Sequence, residues 1–132
     1  MPRSEPSAKP PPFQVATEPS RHLVRATFRG VVRPTDMRKQ VDYMKTQLGE
    51  LGQGFTMLTD LADLEHMELE CVGELTRMMD VCMAAGIGKV VRVIPDPDKD
   101  IGFNLLSLTH YRGKVPTATC ETREEAEAEL AH

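Results

Sequence analysis

Asp60, Asp63 and His66 bring oxygen and nitrogen donors close together in the stretch TDLADLEHMELEC, residues 59–71. They lie at the C-terminal end of the apolar run FTMLTDL (55–61), which reads as a short central strand covered on both faces. In α/β folds, ligands collect beyond the C-terminal ends of such strands. The three are therefore a candidate ligand site, and carboxylate with imidazole is also metal-binding chemistry. A loop explains the acids equally well, because Asp bonds its own backbone in turns. We expect no metal here.

Glu68, Glu70 and Cys71 come next, where an apolar pattern at helical spacing begins. A thiol at a helix N-terminus can be acidified and act as a nucleophile. Cys71 has His66 nearby in sequence, but no nucleophile signature surrounds it and no third group can be joined to the pair. The expectation is an inert, buried thiol, no catalytic residue and no enzyme. Glu68 and Glu70 would lie in the first turn of the helix, where the dipole favours acids by about 0.3–1 kcal/mol each. They could also serve as permanent negative charge on an interaction surface. A third group, DPDKDIG (96–102), begins like a calcium loop. Its sixth position is Ile101 instead of Gly and its twelfth is Ser107 instead of Glu, so a Pro-rich turn capped by Asp100 is expected.

Positioning these groups requires a scaffold. PFQVATE (12–18) and RHLVRATFRGVV (21–32) flank the turn-prone Pro19-Ser20 and read as an antiparallel hairpin at a sheet edge. Leu23, Arg25, Thr27 and Arg29 alternate with Val24, Ala26 and Phe28, as in a strand with one wet face. Met37, Val41, Met44, Leu48 and Leu51 recur at helical spacing, with Thr35 as expected N-cap. A helix over roughly 68–85 should bury Val72, Leu75, Met79, Cys82 and Met83. Met78 and Met79 point about 100° apart on it, so either one is exposed or both sides are covered. The strand KVVRVIPD (89–96), a helix opening at Asp100, the strand VPTATCE (115–121) and a last helix follow. The last helix opens on the capping-box pattern Thr122-Arg-Glu-Glu125.

Element order is therefore β-β-α-β-α-β-α-β-α. This implies an α/β fold with a mixed, mainly parallel sheet of about five strands, an N-terminal antiparallel hairpin and about four helices, chiefly on one face. A sheet face left without helices would make a homodimer through it the natural cover.

In this order, and in the segments HLVRATFRGVVRPTDM, FTMLTDLADLEHM and AAGIGKVVRVI, the chain resembles the STAS fold of anti-sigma-factor antagonists. It is most similar to the SpoIIAA-like set, distantly related to lipid-binding Sec14 domains. The resemblance spans about residues 13–131. It implies a regulatory, protein-binding domain, and a phosphorylatable serine at the N-terminus of the helix after the central strand. No Ser or Thr stands between Thr59 and Thr76 here, and Glu68, Glu70 and Cys71 occupy the matching place. A receiver domain is excluded. Its first strand should end in an acidic pair, and a Lys should follow its last strand.

Composition narrows the rest. Residues 1–12 form a Pro-rich segment, expected to be a flexible, solvated tail, and 13–132 one domain. The last twelve residues hold five Glu and one Arg, which is the whole net charge of −4. No basic stripe remains for nucleic acid. No apolar run approaches the roughly 20 residues that span a bilayer. Three cysteines without CxxC spacing argue against disulfides or zinc. With no apolar leader at the start, the expected location is the cytoplasm, with no cofactor.

Three functions follow in order. The first is a non-catalytic regulatory or interaction module using Glu68, Glu70 and Cys71 against a protein partner. The second is a carrier of a small apolar or lipid-like ligand, which needs an enclosed pocket of several hundred Å³. The third is an enzyme built on Cys71 or on Asp60, Asp63 and His66.

Overall fold

The computed structural model describes residues 10–95 and 115–131. Strand β1 (Phe13–Glu18) and strand β2 (Leu23–Val32) form the expected hairpin, paired antiparallel from Phe13 opposite Phe28 to Glu18 opposite Leu23. A single 3-10 turn, Pro19–Arg21, joins them. Helix α1 spans Pro34–Gly49, strand β3 Thr56–Met67, helix α2 Cys71–Ala84 and strand β4 Lys89–Val93. Strand β5 (Thr117–Cys120) and helix α3 (Arg123–Leu130) complete the described chain.

The strands lie in the order β1-β2-β3-β4-β5, antiparallel in the first pair and parallel in the others. From β2 to β4 each step moves one place in the same direction. Right-handed crossovers then put α1 and α2 on one face of the sheet. Their apolar stripes join the sheet in the main core, which includes Phe13, Phe28, Met37, Met44, Phe55, Leu61 and Leu75. Helix α3 lies on the opposite face, over Leu23, Leu58, Val91, Val93 and Cys120. That face is therefore covered from within the chain. The homodimer expected from a helix-free face loses its reason, and Leu23 and Thr27 of the supposedly wet β2 face are buried.

Among the described residues there are three α-helices. The expected helix after Asp100, the DPDKDIG turn and residues 1–9 of the tail lie outside them.

Three local expectations change. Helix α1 begins at Pro34, whose fixed φ suits a first helical position, so Arg33 and not Thr35 precedes it. Asp36 accepts the Arg33 N–H at 2.8 Å and closes that turn. Met78 and Met79 are both buried in the main core, because α2 has neighbours on two sides. Cys82 meets Met57 of β3 at 3.6 Å, while Arg77 reaches Asp42 of α1 at 2.7 Å.

The largest change is in β3. It does not stop near Leu61 but runs on through Met67, so Asp60, Asp63 and His66 sit in a strand and not in a loop. Against β2 its register slips twice: Thr27 faces Asp60 while Arg29 faces Asp63, and Gly30 faces Leu64 while Val31 faces His66. Each slip places one extra residue on β3, a β-bulge that reverses which face the next side chain takes. Period two becomes period three, and Leu61, Leu64 and Met67 all reach the main core. Gly30, on β2 beside the second slip, has a left-handed backbone at φ 58°, which glycine adopts without strain.

The outer edge of β1 is partly shielded. The backbone N–H of Val15 donates to Gln40 Oε1 of α1 at 3.3 Å, which occupies a donor that would otherwise invite another strand.

Candidate functional site

The strand-to-helix junction is built from two backbone bonds. Glu68 N–H donates to Val32 O at 3.1 Å, and Cys71 N–H donates to Glu68 O at 2.9 Å. Between them Leu69 is turned outward, 72% exposed, with Glu70 exposed beside it. Because α2 begins only at Cys71, Glu68 and Glu70 are outside its first turn, and Glu70 makes no side-chain cap. The acid that does occupy the first turn is Glu74, held by Arg77 at 2.7 Å and Arg38 at 3.6 Å. Glu68 pairs with Arg33 at 3.5 Å across the junction. Val31, 38% exposed, lies on the neighbouring strand opposite His66.

Cys71 belongs to the underside of this turn. It is 0% exposed, and its Sγ lies 3.5 Å from Val32 O. Burial first, then the charges of Glu68 and Asp36, push its thiol up to about 11. A helix N-terminus alone would lower it; here desolvation and acids win. Cys82 is pushed up to about 12 by burial, and burial also raises Cys120. All three thiols are buried. Cys71 thus lies beneath the turn, buried and with its thiol held protonated.

The second group resolves differently. Because of the first register slip, Asp60 and Asp63 turn to the same face, toward α3. Arg123 donates to Asp60 Oδ2 from Nε at 2.8 Å and to Asp63 Oδ2 from Nη2 at 2.8 Å. Asp60 Oδ1 also accepts the Ala62 N–H at 2.9 Å. Donating to Asp60 and Asp63 holds the Arg123 guanidinium more firmly charged. His66 is exposed and stands apart from this ion triad. Among the described residues no three His, Cys, Asp or Glu side chains gather as a metal site. The sequence missed Arg123, which lies sixty positions beyond Asp63; its only trace was the capping box that places it in the first turn of a helix.

Among the described residues, clefts of about 250–300 Å³ open at three places. One lies between α1 and α2, by Lys45, Asp80, Val81, Ala84 and Ala85. The other two flank α3, one by Arg25, Leu58, Val93, Arg123, Ala126 and Glu127, the other by Arg21, Leu23, Thr56, Leu130 and Ala131. All three are open clefts. Among the described residues no helix is long and apolar enough to cross a membrane.

No protein-family model matches the chain, and no curated protein matches it either. Solved structures do. The anti-sigma factor antagonist SpoIIAA in its unphosphorylated form aligns with a TM-score of 0.56 at 20% identity, over 90% of this chain and 97% of that one. An uncharacterized protein of the DUF3478 family with a SpoIIAA-like fold, from Shewanella loihica PV-4, aligns with a TM-score of 0.65 at 11% identity, over 96% of this chain and 99% of that one. The sheet order, the hairpin edge and the two crossover helices thus make this chain a SpoIIAA-like α/β fold.

Proposed function

We propose that the protein is a non-catalytic interaction module whose partner docks on the β3–α2 turn, Glu68-Leu69-Glu70. The observation that carries this reading is Leu69, a large apolar side chain 72% exposed on a turn whose backbone is fixed at both ends. An exposed leucine on a rigid turn has already lost the entropy that docking would otherwise remove. Glu65, His66 and Glu70 are exposed around it, and Glu68 is half-buried against Arg33. The matching surface on a partner is an apolar pocket rimmed by Lys or Arg, since complementary charge speeds encounter and sets register. Support also comes from the fold, which is that of an anti-sigma factor antagonist, a protein defined by binding another protein. The turn carries acids where a switch serine would stand, so docking here is constitutive and not gated by phosphate.

The test is a photo-crosslinking residue placed at Leu69, and separately at the exposed Tyr43 of α1, in the producing cell. The reading expects one partner adduct from position 69 and none from 43, through a peptide rich in apolar and basic residues. Reversing charge with Glu68→Lys and Glu70→Lys should abolish it. An adduct shared by both positions, or one indifferent to charge reversal, overturns the placement.

A further inference from the structure

Helix α3 is fastened to the domain in an unusual way. Of its residues only Ala126 is buried, with Leu130 half-buried against the same cluster. Yet it covers Leu23, Leu58, Val91, Val93 and Cys120, a strip of apolar side chains across four strands. One alanine and part of a leucine are a thin apolar contact for such a cover. Charge pairs add to that contact at both ends and in the middle. Arg123 grips Asp60 and Asp63 at 2.8 Å each, Arg21 meets Glu127 at 3.0 Å, and Lys89 meets Glu129 at 3.3 Å. Lys89 Nζ also donates to the Glu129 carbonyl at 3.1 Å. Except for Asp60, the side chains in these pairs are 29–58% exposed.

The helix has little stability of its own. It has eight residues, too few to hold helical structure in isolation. Its sequence REEAEAEL sets Glu125 against Glu129 one turn later, a like-charge pair, and the last turn has no basic residue to satisfy the dipole. Docking and helix formation are therefore one event.

We propose that α3 is a charge-latched cover that opens as a unit ahead of the rest of the domain, uncovering the apolar strip of Leu23, Leu58, Val91 and Val93. Salt or a competing polyvalent ion loosens it, because ion pairs between exposed side chains weaken progressively as ionic strength rises. The main core, on the opposite face, keeps α1 and α2 in place while α3 is away. Cys120 lies at the end of β5 under the latch and is the natural reporter, while Cys71 and Cys82 sit in the main core as internal controls.

Hydrogen exchange by mass spectrometry on the full chain, from about 0.05 M to about 0.5 M NaCl, reads the opening directly. The expected result is exchange in the peptide covering 121–131 that quickens at least about fivefold with salt, while peptides of α1 and α2 do not change. Maleimide labelling mapped to each cysteine should show Cys120 alone quickening. Arg21→Glu should open the latch at low salt, and adding Glu127→Arg should close it again. Exchange of 121–131 that is salt-independent, or that moves only together with α1 and α2, overturns the proposal. So does labelling in which all three thiols react at one rate. None of these outcomes bears on Leu69, so the latch and the docking turn stand or fall separately.

Discussion

The thiol of Cys71 lies 3.5 Å from the carbonyl oxygen of Val32, the same oxygen that accepts the N–H of Glu68. One acceptor thus ties the end of β2 to the start of α2 and fixes the turn that carries Leu69. It also holds the Cys71 thiol beneath that turn.

That arrangement has a pH signature. The folded pKa values of Cys71 and Cys82 stand at about 11 and about 12, above the ordinary 9.0. A raised folded pKa means that the native state binds the proton more tightly than the unfolded chain. The stability so contributed is whole below about pH 9 and drains as pH rises toward 11 and 12. The slope is about 1.4 kcal/mol per pH unit per thiol. Urea midpoints measured between about pH 8 and about pH 10 should fall accordingly, and Cys71→Ala should make the slope shallower. A flat profile would mean that the thiols are solvated.

Phe13 and Phe28 stack across the hairpin with ring centroids 4.8 Å apart, and Phe28 is 0% exposed. Phe28→Ala should lower unfolding free energy by about 3–5 kcal/mol. Tyr43→Ala, at an exposed position of α1, should change it by no more than about 0.5 kcal/mol. Chemical denaturation of the two variants checks the contrast. A similar loss in both would misplace the core.

Two glycines predict opposite signs. A Cβ on Gly88 would stand 2.9 Å from the backbone oxygen of Gly54, where neither chain segment can yield cheaply. Gly88→Ala should destabilise by about 1–3 kcal/mol. Gly73, inside α2, has nothing within 4 Å of its would-be Cβ. Gly73→Ala should stabilise by about 0.5–1 kcal/mol through helix propensity. Thermal melts of both variants decide it.

The capping box of α3 is formed: Glu125 N–H donates to Thr122 Oγ1 at 3.1 Å, and Glu125 Oε1 accepts from Glu121 N at 2.7 Å and Thr122 N at 3.3 Å. Thr122→Ala should cost the helix about 1 kcal/mol. Amide exchange should register that loss in 121–131 alone. If the whole domain melts earlier by the same amount instead, α3 is an integral part of one cooperative unit.

Local rules carried far in this chain. The hairpin, the α1 stripe, the capping box and a strand opening at Lys89 were each legible from the spacing of neighbouring residues, although β4 itself pairs with β3 and β5. So was the absence of a serine between Thr59 and Thr76. The order of elements with the handedness of crossovers was enough to predict the mixed sheet and the face that α1 and α2 share.

The site depended on partners far apart in the chain. Asp63 and His66 read as a loop because the continuous apolar run breaks off after Leu61, and Leu61, Leu64 and Met67 then repeat every third residue. That period belongs to two bulges that exist only where β3 meets β2. Asp60 and Asp63 looked like free ligands because Arg123 reaches them only once α3 folds back across the sheet. The placement of Cys71 beneath the turn and Leu69 above it came from where α2 starts, which Val32 of another strand decides. Amino-acid types and short-range periodicity determined what elements form; pairing between segments sixty residues apart decided which charges were already satisfied and which side chain remained for a partner.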